Sequence, residues 1–341
     1  MRKSVSFGVL GVLTALVAGF GAWAWKLDDG GMPGARVVNG VRVLKLAHGL
    51  EDTHPVNKAL EFMNKRMIEL SGGKLRMDLY PNAVMGGEIE TLEQVQAGQL
   101  AMTKVSTAAL EEHFPEARVF GIPYLFRDDA HLWKVLNGPI GKDILEKGRP
   151  KGFFGLCYYD AGARSFYATK KQVASVADVD GLKVRVMSSQ TALDMIEAMK
   201  GSPCPTVWGE LYTALQQGTV DAAENNPPSF VTSRHFEVAK FFSLTEHQRL
   251  PDMLVFSTKG WELLSEQERA WVRQAAEESQ AEERKLWAQT QKESMVFLKE
   301  HGVEILEHPD VESFRKACAG VIDLEKYANI RALYDAIQEV K

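Results

Sequence analysis

The hydrophobic residues in the first half of the chain change their spacing repeatedly, and few folds accommodate such a pattern. Residues 41–47 and 75–80 alternate apolar and polar side chains, as half-buried strands do, and residues 100–106 form a third strand candidate. Residues 55–70 and 88–98, which lie between these segments, carry apolar side chains at helical spacing. This β-α-β-α-β order predicts a parallel sheet with helices on its faces.

The same kind of pattern starts again after Gly152, which predicts a second α/β unit. Residues 153–159 and 182–187 are strand candidates, and residues 190–199 are a helix candidate. A further short strand, residues 219–223, leads into Glu-Asn-Asn-Pro-Pro, where two consecutive prolines forbid both a helix interior and a central strand. Two lobes also suit the length, because the roughly 300 residues after the N-terminal segment exceed what one core usually holds.

The last third of the chain has a different pattern, which predicts long helices. Ser265 and Glu268 form a capping box, and the helix that they open can continue to about Glu300. At 1.5 Å per residue this helix would be on the order of 50 Å long, so we expect it to brace both lobes. A final helix is predicted over residues 323–340.

The N-terminus has the composition of an export signal. A positively charged start precedes an uncharged, mostly apolar run of 22 residues, and Ala22-Trp23-Ala24 fits a signal-peptidase site. We therefore predict that residues 1–26 are a signal peptide cleaved after Ala24. The alternative is an uncleaved membrane anchor, because the run is long enough to span a bilayer. Both interpretations place the folded body outside the cytoplasm, in the periplasm, and residues 27–41, rich in glycine and polar residues, are expected to be a disordered leader.

Charge and cysteine content exclude several classes of function. The net charge of −5 is well mixed along the chain, which argues against nucleic acid as a partner. Cys157, Cys204 and Cys318 are far apart and lack metal-ligand spacing, so we expect small buried residues, although an oxidising compartment would allow one pair to bridge. The chain has no G-x-G-x-x-G, Walker, H-E-x-x-H or G-x-S-x-G motif, so we expect no cofactor, no metal and no enzymatic activity.

Two arginines are the main candidates for binding a ligand. Arg164 follows a glycine turn, and Arg185 lies in an alternating strand on the face opposite Val184 and Val186. A guanidinium is always charged and matches a carboxylate with two hydrogen bonds. A solvated surface arginine is the alternative at each position, but parallel sheets are normally covered on both faces. The pair therefore predicts a site for a small organic acid.

Five further residues are weaker candidates. Asn225 offers two donors and an acceptor, and Trp208 offers an aromatic wall for a sugar ring. Ser106 and His48 end strands, and Glu88 begins a helix, so each of these could contact ligand hydroxyl groups. Structural roles are the alternatives: a turn-forming asparagine, a core tryptophan, a helix-capping glutamate and a structural histidine.

The chain also resembles the DctP family, the periplasmic solute-binding subunits of TRAP (tripartite ATP-independent periplasmic) transporters. The resemblance runs from about Val43 to near the C-terminus. It is carried, in order, by LYPNAVMGG at 79–87, FGIPYLF at 120–126, GLKVRV at 181–186, GSPCP at 201–205, ELYTALQQG at 210–218 and VDAAEN at 220–225. Each stretch is weakly specific alone, but together and in order they are strongly specific.

The resemblance implies a two-lobed α/β periplasmic-binding-protein fold with hinge strands and a long helix that braces both lobes. Lobe I would comprise residues 42–162 and about 251–290. Lobe II would comprise residues 163–250 and about 291–341, with the C-terminal helices. By the family's motifs, Arg185 clamps the substrate carboxylate. The other implied contacts are Arg164, Asn225, the aromatic wall Trp208, and the lobe I residues His48, Glu88 and Ser106.

The implied function is transport rather than catalysis. The protein would capture a small organic acid and deliver it to the membrane permease subunits of the TRAP system, which an ion gradient drives. The Ala47-His-Gly start and the Glu-Asn-Asn-Pro-Pro loop resemble sugar-acid binders, so a uronate or an aldonate is the favoured ligand. A C4-dicarboxylate or keto acid, or a membrane-anchored sensor role, is the alternative, and we expect a monomer.

Overall fold

A computed structural model describes residues 34–341 of the chain, so the predicted export signal lies outside the described residues. The strands are β1 (Ala35–Val38), β2 (Val41–Ala47), β3 (Leu75–Tyr80), β4 (Met102–Ser106), β5 (Phe153–Tyr159), β6 (Arg164–Ala168), β7 (Lys183–Val186), β8 (Ser202–Pro205), β9 (Ala222–Asn225), β10 (Phe241–Gln248), β11 (Asp252–Ser257) and β12 (Glu304–Leu306). The helices are α1 (Pro55–Ser71), α2 (Glu88–Ala97), α3 (Asp129–Asn137), α4 (Pro139–Glu146), α5 (Gln190–Ala198), α6 (Leu211–Gln216), α7 (Pro227–Thr232), α8 (Thr258–Glu262), α9 (Glu266–Glu300), α10 (Val311–Cys318) and α11 (Arg331–Glu339). Short 3-10 helices connect several of them.

The strands form two six-stranded sheets, which define two lobes. The sheet of lobe I has the order β1-β2-β4-β11-β5, with β3 also paired to β2. The sheet of lobe II has the order β12-β10-β6-β9-β7-β8. The chain crosses from lobe I to lobe II between β5 and β6, and returns between β10 and β11. The predicted two-lobed α/β fold is therefore confirmed.

The sheets are mixed, which corrects the prediction of a parallel sheet. β2 pairs in parallel with β3 and β4, and β7 pairs in parallel with β8 and β9, as the β-α-β patterns predict. However, β11 is antiparallel to both β4 and β5, and β6 is antiparallel to both β9 and β10. The crossings lie between β5 and β6 and between β10 and β11, and the returning chain runs opposite to the outgoing chain in both sheets.

The beginning of the described chain differs from the predicted disordered leader. Residues 35–38 form β1, which pairs antiparallel with β2 through a turn at Asn39 and Gly40. Both turn residues have positive φ, as the tight Asn-Gly turn of a hairpin requires. The Asn-Gly turn and the two β-branched valines of β1 therefore favour a hairpin here, although the segment is rich in polar residues.

The long helix α9 extends along both lobes, as predicted. Its capping box at Ser265 and Glu268 is present. It packs on α1 and β5 of lobe I and on α7 of lobe II. Near its midpoint Glu283 is fully buried, and its Oε2 accepts a hydrogen bond of 2.9 Å from the Asp160 amide in the first crossing. Burial, reinforced by Asp160, raises the pKa of Glu283 well above its usual value.

The C-terminal segment differs from the single predicted helix. Residues 325–330 are a 3-10 helix, and only Arg331–Glu339 is α-helical. This segment contacts both lobes: Tyr327 donates a 2.6 Å hydrogen bond to Asp194 in lobe II, while the Ile337 carbonyl lies 3.0 Å from Nε2 of His131 in lobe I. The end of the chain is therefore not confined to lobe II, where the resemblance would place it.

Two further features concern the expectations from composition. All three cysteines are free thiols, with Cys157 and Cys318 buried and Cys204 half-buried. Over residues 34–341 no helix combines the length and the apolar character that a membrane crossing needs.

Candidate functional site

A cavity of about 410 Å³ lies between the two lobes. Lobe I contributes the start of α2 and residues of β4, lobe II contributes the ends of β7 and β9, and α9 contributes Trp287. The volume falls in the usual range of small-molecule sites, roughly 300–1,000 Å³. The cavity is lined by six of the seven predicted site residues, namely Arg164, Arg185, Asn225, Trp208, Glu88 and Ser106.

Arg185 is a buried cation without a carboxylate partner among residues 34–341. It lies on β7 with 3% of its surface exposed. The one side-chain hydrogen bond it makes within that range is from Nε to the Thr206 carbonyl, at 2.9 Å, and its guanidinium carbon lies 5.8 Å from the Trp208 ring centre. Burial lowers its pKa. Because an uncompensated buried charge is costly, this guanidinium is suited to receive an anion from solution.

Arg164 is also buried, but the protein itself supplies its counterion. Its guanidinium forms an ion pair with the side chain of Glu224, and Nη2 donates to Glu224 Oε1 at 2.8 Å and to the Glu224 carbonyl at 2.7 Å. Burial alone would raise the pKa of Glu224, but Arg164 and His247 lower it to about 2. Arg164 is thus neutralised before any ligand arrives, and its main local effect is to position the end of β9.

Asn225, the last residue of β9, presents donors rather than an acceptor to the cavity. Its Oδ1 accepts hydrogen bonds from Arg164 Nη1 at 3.1 Å, from the Asn226 amide at 2.9 Å and from Asn226 Nδ2 at 3.0 Å. Asn226 is committed to the fold, since its Oδ1 caps α7 through the Ser229 amide at 2.8 Å. The Nδ2 group of Asn225 is therefore the one left to meet a ligand acceptor.

The lobe I end of the cavity is an acidic cluster around a buried lysine. Lys104 Nζ lies 3.2 Å from Glu88 Oε1 and 3.0 Å from Asp252 Oδ2. Glu88 Oε1 also accepts a hydrogen bond from the Ser106 amide at 2.9 Å. Sequence analysis missed Lys104 and Asp252. The signal for Lys104 was a lysine inside the otherwise uncharged strand MTKVS, which is buried throughout.

Trp287 is another cavity residue that sequence analysis missed. It lies on α9 one turn after Glu283, and its Nε1 is buried without a hydrogen-bond partner in the described part of the chain. Buried polar groups normally have a partner, so this donor is available to a ligand acceptor. Its ring approaches His54 with a centroid distance of 5.8 Å. Trp208 is a second tryptophan that lines the cavity, and its ring lies 4.8 Å from the His235 ring.

The structure places His48 behind the cavity wall and brings His54 to it instead. His48 is buried, with Nε2 3.1 Å from Asn57 Oδ1, and burial together with Lys104 lowers its pKa to about 4. His54 caps α1, where its Nδ1 accepts from the Val56 amide at 3.2 Å. Its Nε2 must therefore carry the proton, and it lies 3.2 Å from Ser229 Oγ in lobe II.

Direct hydrogen bonds join the lobes around the cavity. Besides the contact from His54, Thr232 Oγ1 in lobe II donates to Glu51 Oε2 at 3.1 Å. At another point Ser189 Oγ in lobe II donates to Glu111 Oε1 at 2.8 Å. The lobes are therefore in direct contact around the cavity. Where such contact excludes water, each charge-assisted hydrogen bond is stronger than in bulk solvent. Among residues 34–341 no cluster of histidine, cysteine and acidic side chains is arranged to hold a metal ion.

Comparisons with known proteins agree with this architecture. The family described as bacterial extracellular solute-binding protein, family 7 (DctP) matches residues 46–328. A solute-binding protein of Chromohalobacter salexigens is 34% identical over 291 residues, which are 85% of this chain and 87% of that protein. A TRAP periplasmic solute-binding protein from Bradyrhizobium sp., solved with α/β-D-galacturonate, is 40% identical with a TM-score of 0.84, covering 88% of this chain and 99% of that one. The sugar acid binding protein DctPAm from Advenella mimigardefordensis, solved with galactonate, is 31% identical with a TM-score of 0.85, covering 88% and 99%. The predicted resemblance is thereby confirmed, and the chain belongs to the DctP family of TRAP solute-binding proteins.

Proposed function

We propose that this protein captures a sugar acid, either a uronate or an aldonate, in the cavity between its lobes and delivers it to a TRAP permease. Arg185 binds the carboxylate of the ligand. Arg164 and Asn225 hold the neighbouring part of the site in place, and Asn225 Nδ2 donates to a ligand oxygen. Trp208 packs against the apolar face of the ligand. At the lobe I end, Glu88 accepts hydrogen bonds from ligand hydroxyl groups, and the neighbouring Ser106 donates one to a ligand oxygen.

The observation that carries this proposal is the unpaired burial of Arg185. That guanidinium meets the Thr206 carbonyl and the Trp208 ring, and no carboxylate among the described residues lies within ion-pair distance of it. A ligand carboxylate supplies the missing charge and two acceptor oxygens. The relatives solved with galacturonate and with galactonate support the same class of ligand, because both are polyhydroxylated acids.

The remaining parts of the proposal follow from the family. We infer that the protein acts in the periplasm after export and that cleavage after Ala24 removes its signal peptide. The form with closed lobes is the one that docks on the membrane permease, and no chemical step takes place in the cavity. His48 supports the wall and makes no contact with the ligand, while His54 takes the lobe I position that the resemblance had assigned to His48.

Calorimetric titration of ligand-free protein tests this function. D-galacturonate and D-galactonate should bind, whereas succinate and pyruvate should bind far more weakly. Arg185→Met should weaken sugar-acid binding by at least about 100-fold, the usual loss for a buried charge-assisted pair. Lys183→Met is the matched control, because Lys183 lies on the same strand but is exposed. It removes the same charge and should leave affinity unchanged.

The outcomes separate the alternatives. Binding of succinate alone would favour a C4-dicarboxylate receptor that uses the same arginine. Turnover of a bound acid would point to an enzyme. Failure of every carboxylate to bind wild-type protein would reject the carboxylate site itself. N-terminal sequencing of protein from periplasmic and membrane fractions distinguishes the exported receptor, which should begin at Trp25, from a membrane-anchored sensor with an intact N-terminus.

A further inference from the structure

We infer that the cavity accepts acids with one carboxylate and excludes the dicarboxylates derived from the same sugars, because the cation at its lobe I end is already neutralised twice. This inference rests on the proposed function and makes it more specific. It assigns Lys104 and Asp252 to ligand selection, together with Glu88. It concerns the number of carboxylates that the site admits rather than the identity of the sugar.

Three cations line the cavity, and two of them are already paired. Arg164 has Glu224 as its buried counterion. Lys104 lies within 3.2 Å of Glu88 and within 3.0 Å of Asp252. Within residues 34–341 only Arg185 lines the cavity as a cation without a carboxylate partner. The cavity therefore has one place for one negative charge, in lobe II.

With Lys104 and Glu88 charged, the opposite end of the cavity is neutral or negative whether or not Asp252 holds a proton. If Asp252 is ionised, Lys104 and the two carboxylates carry a net charge of −1. Burial raises the pKa of Asp252, but if Asp252 holds a proton, Lys104 and Glu88 still cancel. Burial alone would lower the pKa of Lys104, yet Asp252 and Glu88 raise it, so the lysine stays charged and paired.

A hydroxyl group and a carboxylate would meet this end of the cavity differently. A ligand hydroxyl can donate its hydrogen to an oxygen of Glu88 or Asp252, and both side chains line the cavity. A second ligand carboxylate has no hydrogen to donate and would face two carboxylates at close range. Juxtaposed like charges in a water-poor site are strongly unfavourable, and they are a common way to reject a wrong partner. The cluster thus selects a hydroxylated end over an ionised one.

The test compares ligands that differ at one carbon. D-galactonate and galactarate have the same length and configuration, and only the far end changes from CH₂OH to carboxylate; D-gluconate and D-glucarate form a second such pair. Wild-type protein should bind the better aldonate at least about 100-fold more tightly than its aldarate. Glu88→Gln keeps the shape but removes one charge, and it should reduce this ratio by at least about tenfold.

Two further variants make the result specific. Asp252→Asn should also reduce the aldonate-to-aldarate ratio, because Lys104 then keeps a single carboxylate partner. Glu93→Gln is the control: Glu93 lies on the same helix as Glu88 and is exposed to solvent, so its loss should leave the ratio unchanged. Circular dichroism of each variant confirms that it is folded before the affinities are compared.

The possible results separate the preference for one carboxylate from the proposed sugar-acid function. An aldarate that binds wild-type protein within about tenfold of its aldonate would overturn the inference while leaving the sugar-acid function intact. A ratio that neither Glu88→Gln nor Asp252→Asn changes would also overturn it. If wild-type protein binds no aldonate, D-galacturonate serves as the monocarboxylate reference against galactarate. If no sugar acid of any kind binds, the proposed function itself fails.

Discussion

Replacing Arg185 with methionine should make the ligand-free protein more stable while abolishing its ligand binding. The guanidinium is 3% exposed, and its pKa is lowered because burial penalises the charged form. Methionine fills a similar volume without charge, and the lost bond to the Thr206 carbonyl offsets part of the gain. Apolar replacement of a buried ion pair is often stabilising by about 1–4 kcal/mol, and Arg185 has no partner whose attraction would be lost, so we expect a rise of about 1–3 kcal/mol in the free energy of unfolding.

The same substitution at Arg164 should have the opposite effect. Arg164→Met would leave the carboxylate of Glu224 buried and without its cation, and the pKa of that carboxyl group is held near 2 by the pair. Removing one member of a buried ion pair usually costs about 3–5 kcal/mol. Two arginines that line one cavity are therefore expected to differ by at least about 4 kcal/mol in their effect on unliganded stability.

The assay is urea unfolding of ligand-free protein, prepared by denaturation and refolding so that no bound acid remains. In a parallel urea titration, D-galacturonate at about 100 times its dissociation constant should raise the free energy of unfolding of wild-type protein by about 2.7 kcal/mol. The free energy of unfolding of Arg185→Met should not change. If unliganded Arg185→Met proves less stable than wild type, the folded protein must already compensate the charge of Arg185. The argument for an anion-accepting guanidinium would then be wrong.

Three further predictions concern other parts of the molecule. Burial lowers the pKa of His48 to about 4, so the folded protein keeps this side chain neutral while the unfolded chain binds a proton below about pH 6.5. The free energy of unfolding should fall as pH drops from 6.5 to 4. In His48→Gln the change in this free energy with pH should be smaller by about 1.4 kcal/mol per pH unit, measured by urea titrations at several pH values. An unchanged pH dependence would contradict a neutral His48. Gly162→Ala should lower the free energy of unfolding by more than about 1 kcal/mol, because φ is +59° and a Cβ would lie 3.1 Å from Trp287 Nε1. Gly181 has φ of +70° in open space, so Gly181→Ala should lower it less. Equal losses of stability in the two variants would argue against the Trp287 contact. Burial raises the pKa of Glu283, so the folded state holds its proton while the unfolded chain ionises above about pH 4.5. Glu283→Gln should therefore match wild type at pH 4 and become progressively more stable than wild type toward pH 8, whereas an equal difference at both pH values would mean that Glu283 is ionised in the folded protein.

Local patterns predicted most of the fold. Alternation located β2, β3 and β7 to within one or two residues, and the capping box located the start of α9. The mixed pairing of the sheets was not predictable from these patterns, because alternation identifies a strand but not its neighbours. The 222–225 strand was also displaced from the predicted 219–223, since the asparagines and prolines beyond it look like a loop even where pairing to β6 continues.

The candidate site was predicted in part, and the missed residues have a common cause. Arg185 stands out because its charge lies between the valines of a strand, and Arg164 because it follows a glycine turn at the start of one. Asp252, Lys104 and Trp287 reach the cavity only because β11, β4 and α9 meet there in three dimensions. The pairing of Arg164 with Glu224 likewise depends on the antiparallel register of β6 and β9, which places Phe166 opposite Glu224.

The long helix α9 sets a geometric limit on how the cavity can open. It is a continuous rod of 35 residues that packs on both lobes, and Glu283 at its midpoint touches the first crossing. Each half is a lever arm of roughly 26 Å, so a bend of about 20° at the midpoint would carry one end through about 9 Å. That travel exceeds the width of a sugar ring. A small elastic deflection of one helix therefore suffices to admit or release the ligand, without unfolding any turn.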